Sequence, residues 1–374
     1  MTFARTTTAL ATVLGLGAGP ALAQTEIQFW HAMGGALGEK TEEIVAGFNE
    51  SQDDYVVVPA YKGNYTENMT AAIAAFRAGE QPHIVQVFEV GTATMMSARG
   101  AVKPVYEVMG DADIDWDADA YLPAVRSYYS TPEGQMLSLP FNSSTPVLWY
   151  NETLLNEAGI SEVPQTWDEM FAAADALQEI GHDCAFSFGW QSWVMIENYL
   201  AWHDQPIGTM ENGFAGLGTE LVFDDSESLT DLLGRIADAA EDGTFVYGGR
   251  RGDSLPLFTE GECAMWMNSS AYYAGISDQA EFAFGQAMLP VDTSAAEAPQ
   301  NSIIGGATLW VLEGHEAEEY QGVAEFFDYM SRAEVQADWH QSTGYVPITT
   351  AAWELSQEQG FYEEEPGTDT AIRQ

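Results

Sequence analysis

From residue 24 onward the apolar positions follow two rhythms: short β-branched or aromatic runs, and longer stretches with a period of three to four residues. Residues 26–30 have the composition of a short strand. After the break at Gly34-Gly35, Leu37, Ile44, Val45 and Phe48 recur at helical spacing. Residues 55–58 predict a second strand, and Met69, Ile73 and Phe76 mark one face of a helix that Gly79 ends. Residues 83–88 predict a third strand, and Gly91 leads into a helix carrying Met95 and Met96. Strands alternating with helices in this way predict an α/β fold with a largely parallel sheet.

The pattern restarts after Leu139-Pro140. Residues 147–150 predict a strand, Asn151 caps a helix holding Leu154 and Leu155, and Gly159 stops it. Pro164 and Thr166 open the next helix. Thr166 and Glu169 have the spacing of a capping box, Phe171, Ala174, Leu177 and Ile180 form the expected apolar face, and Gly181 terminates it. Further on, residues 303–311 read as strand and 320–330 as helix. Neither an internal repeat nor a long linker interrupts the chain. In sheets of this kind ligands sit beyond the carboxyl ends of strands, which makes 30–31, 61–65, 88–89 and 142–145 a candidate lining.

Charge narrows the function. The 374 residues carry 12 Lys and Arg against 57 Asp and Glu, a net charge of −45, so nucleic acid and anionic membrane surfaces are excluded as partners. With 46% hydrophobic and 12% aromatic residues the chain can fill substantial cores, and the acids at 224–227 and 363–365 read as solvated surface. The first residues look like an export signal: Arg5, a short apolar run to Leu22, then Ala21-Leu22-Ala23 as a cleavage pattern before Gln24. The run is too short to span a bilayer. A soluble exported product is expected, in the periplasm if the source is Gram-negative. Cys184 and Cys263 are compatible with a disulfide in that oxidising setting, but their spacing fits two buried thiols equally well.

Enzyme signatures are missing. The sequence contains no H-E-x-x-H helix, G-x-S-x-G elbow or phosphate-binding P-loop, and its six histidines show no metal spacing. The alternating Asp111, Asp113, Asp115, Asp117 and Asp119 would need glycine where Trp116 stands to form a calcium loop. Arg251-Gly252-Asp253 reads as a chance tripeptide. No catalytic residue, metal or cofactor is expected.

Seven strings taken together carry a resemblance: F-W-H-A-M at 29–33, Y-K-G-N-Y at 61–65, Q-V-F-E-V-G-T-A-T-M-M at 86–96, F-N-S-S-T-P-V-L at 141–148, W-Q-S-W at 190–193, Q-N-S-I-I-G-G-A at 300–307 and T-G-Y-V-P-I-T at 343–349. They resemble the periplasmic sn-glycerol-3-phosphate-binding proteins of Ugp-type ATP-driven importers, within the maltose-binding-protein-like solute-binding superfamily. The likeness implies a two-lobed clamshell, each lobe a mostly parallel sheet flanked by helices. One lobe would comprise 24–143 with 290–330, the other 144–289 with 331–374, after a signal peptide at 1–23. Crossings between lobes are expected near 142–145, 289–292 and Ser331.

Carried over position by position, the resemblance implies ligand contacts from Tyr65, Glu89, Ser144, Ser269, Gly306 and Tyr345, with Trp190 and Trp193 as aromatic walls. Chemistry assigns Glu89 to the glycerol hydroxyls, since a carboxylate repels phosphate. The Ser144 and Ser269 hydroxyls, the Tyr65 and Tyr345 phenols and the Gly306 N–H are the expected phosphate donors. The family's chains normally run on and supply a ligand-contacting arginine. This sequence stops at Gln374 with no counterpart and Arg373 does not match it, so either the sequence is truncated, which is the expectation, or the protein holds its ligand differently. The expected partners are the ligand and a permease–ATPase complex at the inner membrane, engaged by a monomer. A sugar or oligosaccharide binder and a secreted phosphodiesterase are the alternatives.

Overall fold

A computed structural model describes residues 24–216 and 218–374. The export signal expected at 1–23 lies outside these residues. The strands in chain order are β1 (Thr25–His31), β2 (Tyr55–Tyr61), β3 (Ile84–Phe88), β4 (Val102–Lys103), β5 (Leu139–Ser144), β6 (Pro146–Asn151), β7 (Cys184–Phe188), β8 (Cys263–Ser269), β9 (Phe284–Ala287) and β10 (Gly305–Leu312).

Two sheets organise the molecule as two lobes. The first has the order β2-β1-β3-β10-β4, with β5 also paired to β10, and the second β7-β8-β6-β9. In the first sheet every strand but β10 points the same way, and in the second every strand but β6 does. Each sheet is thus mostly parallel with one reversed strand, and each reversed strand enters its sheet directly from the other lobe. β5 leads through Thr145 into β6, where the first crossing is expected.

Alternation along the strands divides the cores. In the first lobe Ile27, Phe29, Leu309 and Val311 face a cluster completed by Phe326, Phe327 and Trp339. Val85, Val87, Trp310 and Leu312 face the opposite side. In the second lobe Leu148, Met265 and Met267 face one cluster, and Val147, Trp149 and Trp266 face the other. Cys184 and Cys263 stand opposite each other on neighbouring parallel strands and form a disulfide, which settles the choice their spacing left open.

Helix ends follow local chemistry. Thr166 and Glu169 form the expected capping box, and Asn151 accepts from the Leu154 N–H. The helix Tyr65–Ala78 starts with a second box, Asn64 with Glu67, and ends at Gly79 in the left-handed region. Two apolar faces are rotated from expectation. Trp167, Met170, Ala173, Ala174 and Leu177 are buried on the helix Trp167–Glu179, while Ile180 is 47% exposed. On the helix Tyr65–Ala78 the buried positions are Asn68 and Ala72, with Ile73 at the surface. Small side chains let this helix approach the sheet, and the Asn68 amide donates to the Gln86 carbonyl at 2.7 Å.

Two crossings fall elsewhere than expected. The segment 289–292 stays in the second lobe: the Val291 N–H bonds to Gln165 O, the Trp167 N–H bonds to Val291 O, and Leu289, Val291 and Ile303 pack in the second lobe's core. The chain returns only as β10 begins. Ser331 also lies within the first lobe, where its hydroxyl meets the Tyr121 phenol at 2.6 Å. The following helix, Ala333–Thr343, puts Trp339 into the first core, and Tyr345 and Ile348 join it there. Val346, Ala371 and Ile372 pack this last stretch on the second lobe. Residues 331–374 are therefore shared between lobes, the reason being Trp339, a buried aromatic stacked on Phe141 at 4.9 Å. Gln374 donates to Thr145 Oγ1 and to the Pro146 carbonyl, pinning the crossing strand, and Arg373 pairs with Asp369 one turn earlier.

Candidate functional site

A cavity of about 410 Å³ opens between the lobes, and all eight expected contacts line it: Tyr65, Glu89, Ser144, Trp190, Trp193, Ser269, Gly306 and Tyr345. Topology explains the convergence. Glu89 follows the end of β3, and Ser144 and Ser269 end β5 and β8. Because β10 is antiparallel, its first residues lie at the same edge: Gly305 pairs with Ser144 and Ala307 with Phe88. The rest of the candidate lining is only partly used. Of its other members Asn64 and Phe88 reach the cavity, whereas His31 is buried in the core and Tyr61 is exposed beside it; Met33 and Gly34, beyond the expected segment, line the cavity instead. Burial lowers the His31 imidazole to about 4, so it stays neutral at physiological pH.

The tyrosine side is held by a relay of amides. Gln86 Oε1 accepts from the Ala32 N–H at 2.7 Å, Gln86 Nε2 donates to Asn142 Oδ1 at 2.7 Å, and Asn142 Nδ2 donates to the Tyr65 phenol at 2.8 Å. Tyr65 stacks on Phe88 at 5.3 Å and Tyr345 on Trp339 at 5.5 Å. Burial raises the Tyr65 phenol well above its ordinary value, so it remains a donor throughout the accessible pH range. Across the cavity the Ser269 hydroxyl donates to Ser144 Oγ at 2.8 Å and accepts from the Ala271 N–H. The Ser144 proton is left without an acceptor among the described residues.

Glu89 is the one carboxylate of the lining among the described residues. Burial pushes it up to about 7, against the opposing hydrogen bond from the Gly306 N–H, and the nearby Glu197 pushes the same way. The Gly306 N–H donates to Glu89 Oε2 at 3.1 Å. Phosphate was the partner expected for this N–H; here it donates to the carboxylate, and a phosphate at that point would face the Glu89 charge. What Gly306 contributes is a close backbone approach, at φ +114°, where a Cβ would overlap the Asn142 carbonyl oxygen. Replacing it by alanine is expected to cost about 1–3 kcal/mol of stability. Thermal unfolding checks this, and an unchanged midpoint would show that β5 and β10 can slide apart freely.

The tryptophans reach the cavity by different means. The segment Ser192–Glu197 is a π-helix, a form concentrated at functional sites, and it carries Trp193. The Trp193 indole N–H has no partner among the described residues. Trp190 precedes the helix in the left-handed region at φ +46°, so the pair does not share a helical face as a spacing of three would suggest.

Arg251 also lines the cavity, although the sequence reading set it aside within a chance tripeptide. Tyr272, Leu37 and Leu255 were missed as well. Their sequence surroundings carry no signal, since only the fold brings these loops together. Outside the cleft the fold assembles His83, His315 and Glu319, whose ligand atoms lie within 4.8 Å of one another despite unpromising spacing. The Gln28 N–H donates to His83 Nδ1 at 2.9 Å, which puts the proton of the neutral ring on Nε2, facing Glu319 Oε1 at 3.3 Å. That tautomer leaves His83 no lone pair for a metal, and His315 stacks on the same ring at 3.8 Å.

Comparison with known proteins extends these findings. The family model described as bacterial extracellular solute-binding protein matches residues 43–367. The sn-glycerol-3-phosphate-binding periplasmic protein UgpB of Yersinia pseudotuberculosis is 49% identical over 357 residues, 95% of this chain and 81% of that protein. UgpB of Escherichia coli K12 is 46% identical over 371 residues, 98% of this chain and 84% of that protein. Among solved structures, UgpB from Mycobacterium tuberculosis in complex with glycerophosphocholine superposes with a TM-score of 0.78 at 22% identity, over 96% of this chain and 86% of that one. Maltose-bound T. maritima MalE3 gives 0.74 at 17%, over 91% and 86%. Both share the two-lobed fold described above.

Proposed function

The chain belongs to the bacterial extracellular solute-binding proteins, and from that premise we propose that it is the soluble binding component of an ATP-driven importer. It captures sn-glycerol 3-phosphate, with glycerophosphodiesters as further ligands, and presents the loaded closed form to a permease–ATPase complex in the inner membrane. It works as a monomer in the periplasm, exported by the signal at 1–23, and does no chemistry on its ligand. The observation that carries this reading is the convergence of Tyr65, Glu89, Ser144, Ser269, Tyr345 and both tryptophans on one cavity between the lobes.

Size and donors support a small polar ligand. About 410 Å³ lies toward the small end of ligand sites, which span roughly 300–1,000 Å³, and a long oligosaccharide groove is a different shape. Gly34 stands at the N-terminus of the helix Gly35–Ser51 with no side-chain cap and lines the cavity, where unpaired backbone N–H groups favour anions. The chain's net charge of −45 opposes a dianion at long range, but screening over about 8 Å at physiological salt confines that penalty. Groups from both lobes touch the ligand, so binding favours closure by its differential affinity.

Titration calorimetry on the full chain with sn-glycerol 3-phosphate and with glycerophosphocholine tests the reading, alongside an assay for released choline. One-to-one binding without choline release is expected. At 100 times the dissociation constant, ligand should stabilise the protein by about 2.7 kcal/mol in thermal unfolding. No binding of either ester would overturn the ligand assignment, and choline release would make the protein a hydrolase.

A further inference from the structure

Serine and tyrosine hydroxyls can orient a phosphate but do not neutralise it, and Glu89 adds a negative charge to the same cavity. We propose that Arg251 is the specificity-determining residue that meets the phosphoryl group of an organic phosphate ester, so that the cleft retains anionic glycerol esters and rejects neutral polyols. This deepens the proposed function and rests on it.

Among the described residues Arg251 is the one lysine or arginine in the cavity lining, just as Glu89 is the one acid. The two come from different lobes, so the cavity is polar from one wall to the other. A glycerol phosphate fits that polarity in one sense only, with its hydroxyls toward Glu89 and its phosphoryl oxygens toward the guanidinium. A planar guanidinium offers paired N–H donors that match two phosphoryl oxygens.

The backbone is built to hold this side chain in place. Arg251 sits in the left-handed region at φ +55°, and Trp190 opposite it does the same at φ +46°. Two bulky residues rarely adopt that conformation, and such strain concentrates at binding sites. The Arg251 carbonyl accepts from the Trp190 N–H at 3.1 Å and from Asn268 Nδ2 at 3.3 Å, which locks the two loops together. Gly189 is required at this junction, because a Cβ there would overlap the same carbonyl. The guanidinium then lies over the Trp190 indole, 5.4 Å from the ring centroid.

Its charge is also uncommitted. Lys40, Lys103, Arg126, Arg235, Arg332 and Arg373 each pair with a carboxylate, but Arg251 has no such partner among the described residues. The nearby Asp253 carboxylate accepts from the Arg250 N–H instead. In a chain so rich in acid, an arginine in a ligand cavity with no carboxylate bound to it is available for a ligand anion.

The test uses the full chain with Arg251→Gln and Arg251→Lys, titrated with sn-glycerol 3-phosphate between pH 5 and 8. Arg251→Gln should lose about 10- to 100-fold in affinity, Arg251→Lys distinctly less, and neither should shift the melting temperature of the free protein. The wild-type affinity should rise as the monoester passes its second ionisation near about pH 6, and Arg251→Gln should flatten that rise. Wild-type binding that Arg251→Gln changes by less than twofold overturns the assignment while leaving the proposed function standing. So does an equal loss in both variants accompanied by a lowered melting temperature, which marks a packing role. Failure of the wild type to bind the ester overturns the proposed function itself, and this inference with it.

Discussion

Glu89→Gln should weaken capture of sn-glycerol 3-phosphate by about 2 kcal/mol, roughly thirtyfold, while making the ligand-free protein more stable above pH 7. The two effects share one cause. Burial raises the Glu89 carboxyl to about 7, so the empty cleft holds a carboxylate that would be better solvated in the unfolded chain. The sign follows from proton binding: between about pH 4.5 and 7 the folded state holds a proton that the unfolded state releases. The stability contributed by this group is therefore complete below its unfolded value and disappears as pH rises through about 7. The ceiling is about 3 kcal/mol, and partial solvent access reduces it. Glutamine keeps the shape without that loss, so the variant's advantage should grow from pH 5 to 8 and then level off.

Binding runs the other way. Ligand hydroxyls donate to a carboxylate more strongly than to an amide oxygen, so the ligand favours the ionised form and expels a proton near pH 7. Glycerophosphocholine isolates this effect because its diester has no second ionisation. Calorimetry at pH 7 in buffers of different ionisation enthalpy should show fractional proton release in the wild type and none in Glu89→Gln. Unchanged affinity together with unchanged proton release would remove Glu89 from the ligand.

Local chemistry was the part of this protein most legible in sequence. Asn151, Thr166 and Glu169 cap the helices their spacing implies, because a cap needs only residues three positions apart. The strand ends were also readable, and the family strings carried the eight cavity positions. What local pattern could not carry was pairing across distance. Leu289 and Val291 read as a return to the first lobe, but the Val291 backbone is bound to Gln165 and Trp167, more than a hundred residues earlier. Trp339 looks like any helical aromatic until Phe141 is beneath it. Arg251 illustrates the same limit at the site, since its meaning depends on the loop at Trp190 that faces it. Gly306 lines the cavity as expected, but the bond from its N–H to Glu89, more than two hundred residues earlier, leaves no trace in local sequence.

The disulfide belongs to this long-range class, and its removal is the larger of the expected stability effects. Cys184 and Cys263 are 79 residues apart in sequence and neighbours across β7 and β8, with both side chains buried. A cross-link closing so long a loop restricts the unfolded chain strongly, and the chain-entropy estimate for it is about 4–5 kcal/mol. The bridge also lies two residues before the Phe186–Met265 pair on the same two strands, so its loss leaves them joined only by their ladder. The double replacement of Cys184 and Cys263 by alanine is expected to cost about 3–5 kcal/mol, moving the second lobe's unfolding down by on the order of 10 °C. Because the sulfurs are shielded, a thiol reductant should leave the native protein oxidised at room temperature and act only as the lobe opens. Saturating ligand, which spans both lobes, should delay that reduction. Rapid reduction of the native protein, or a double variant that melts with the wild type, would mean that the sheet alone holds these strands in register.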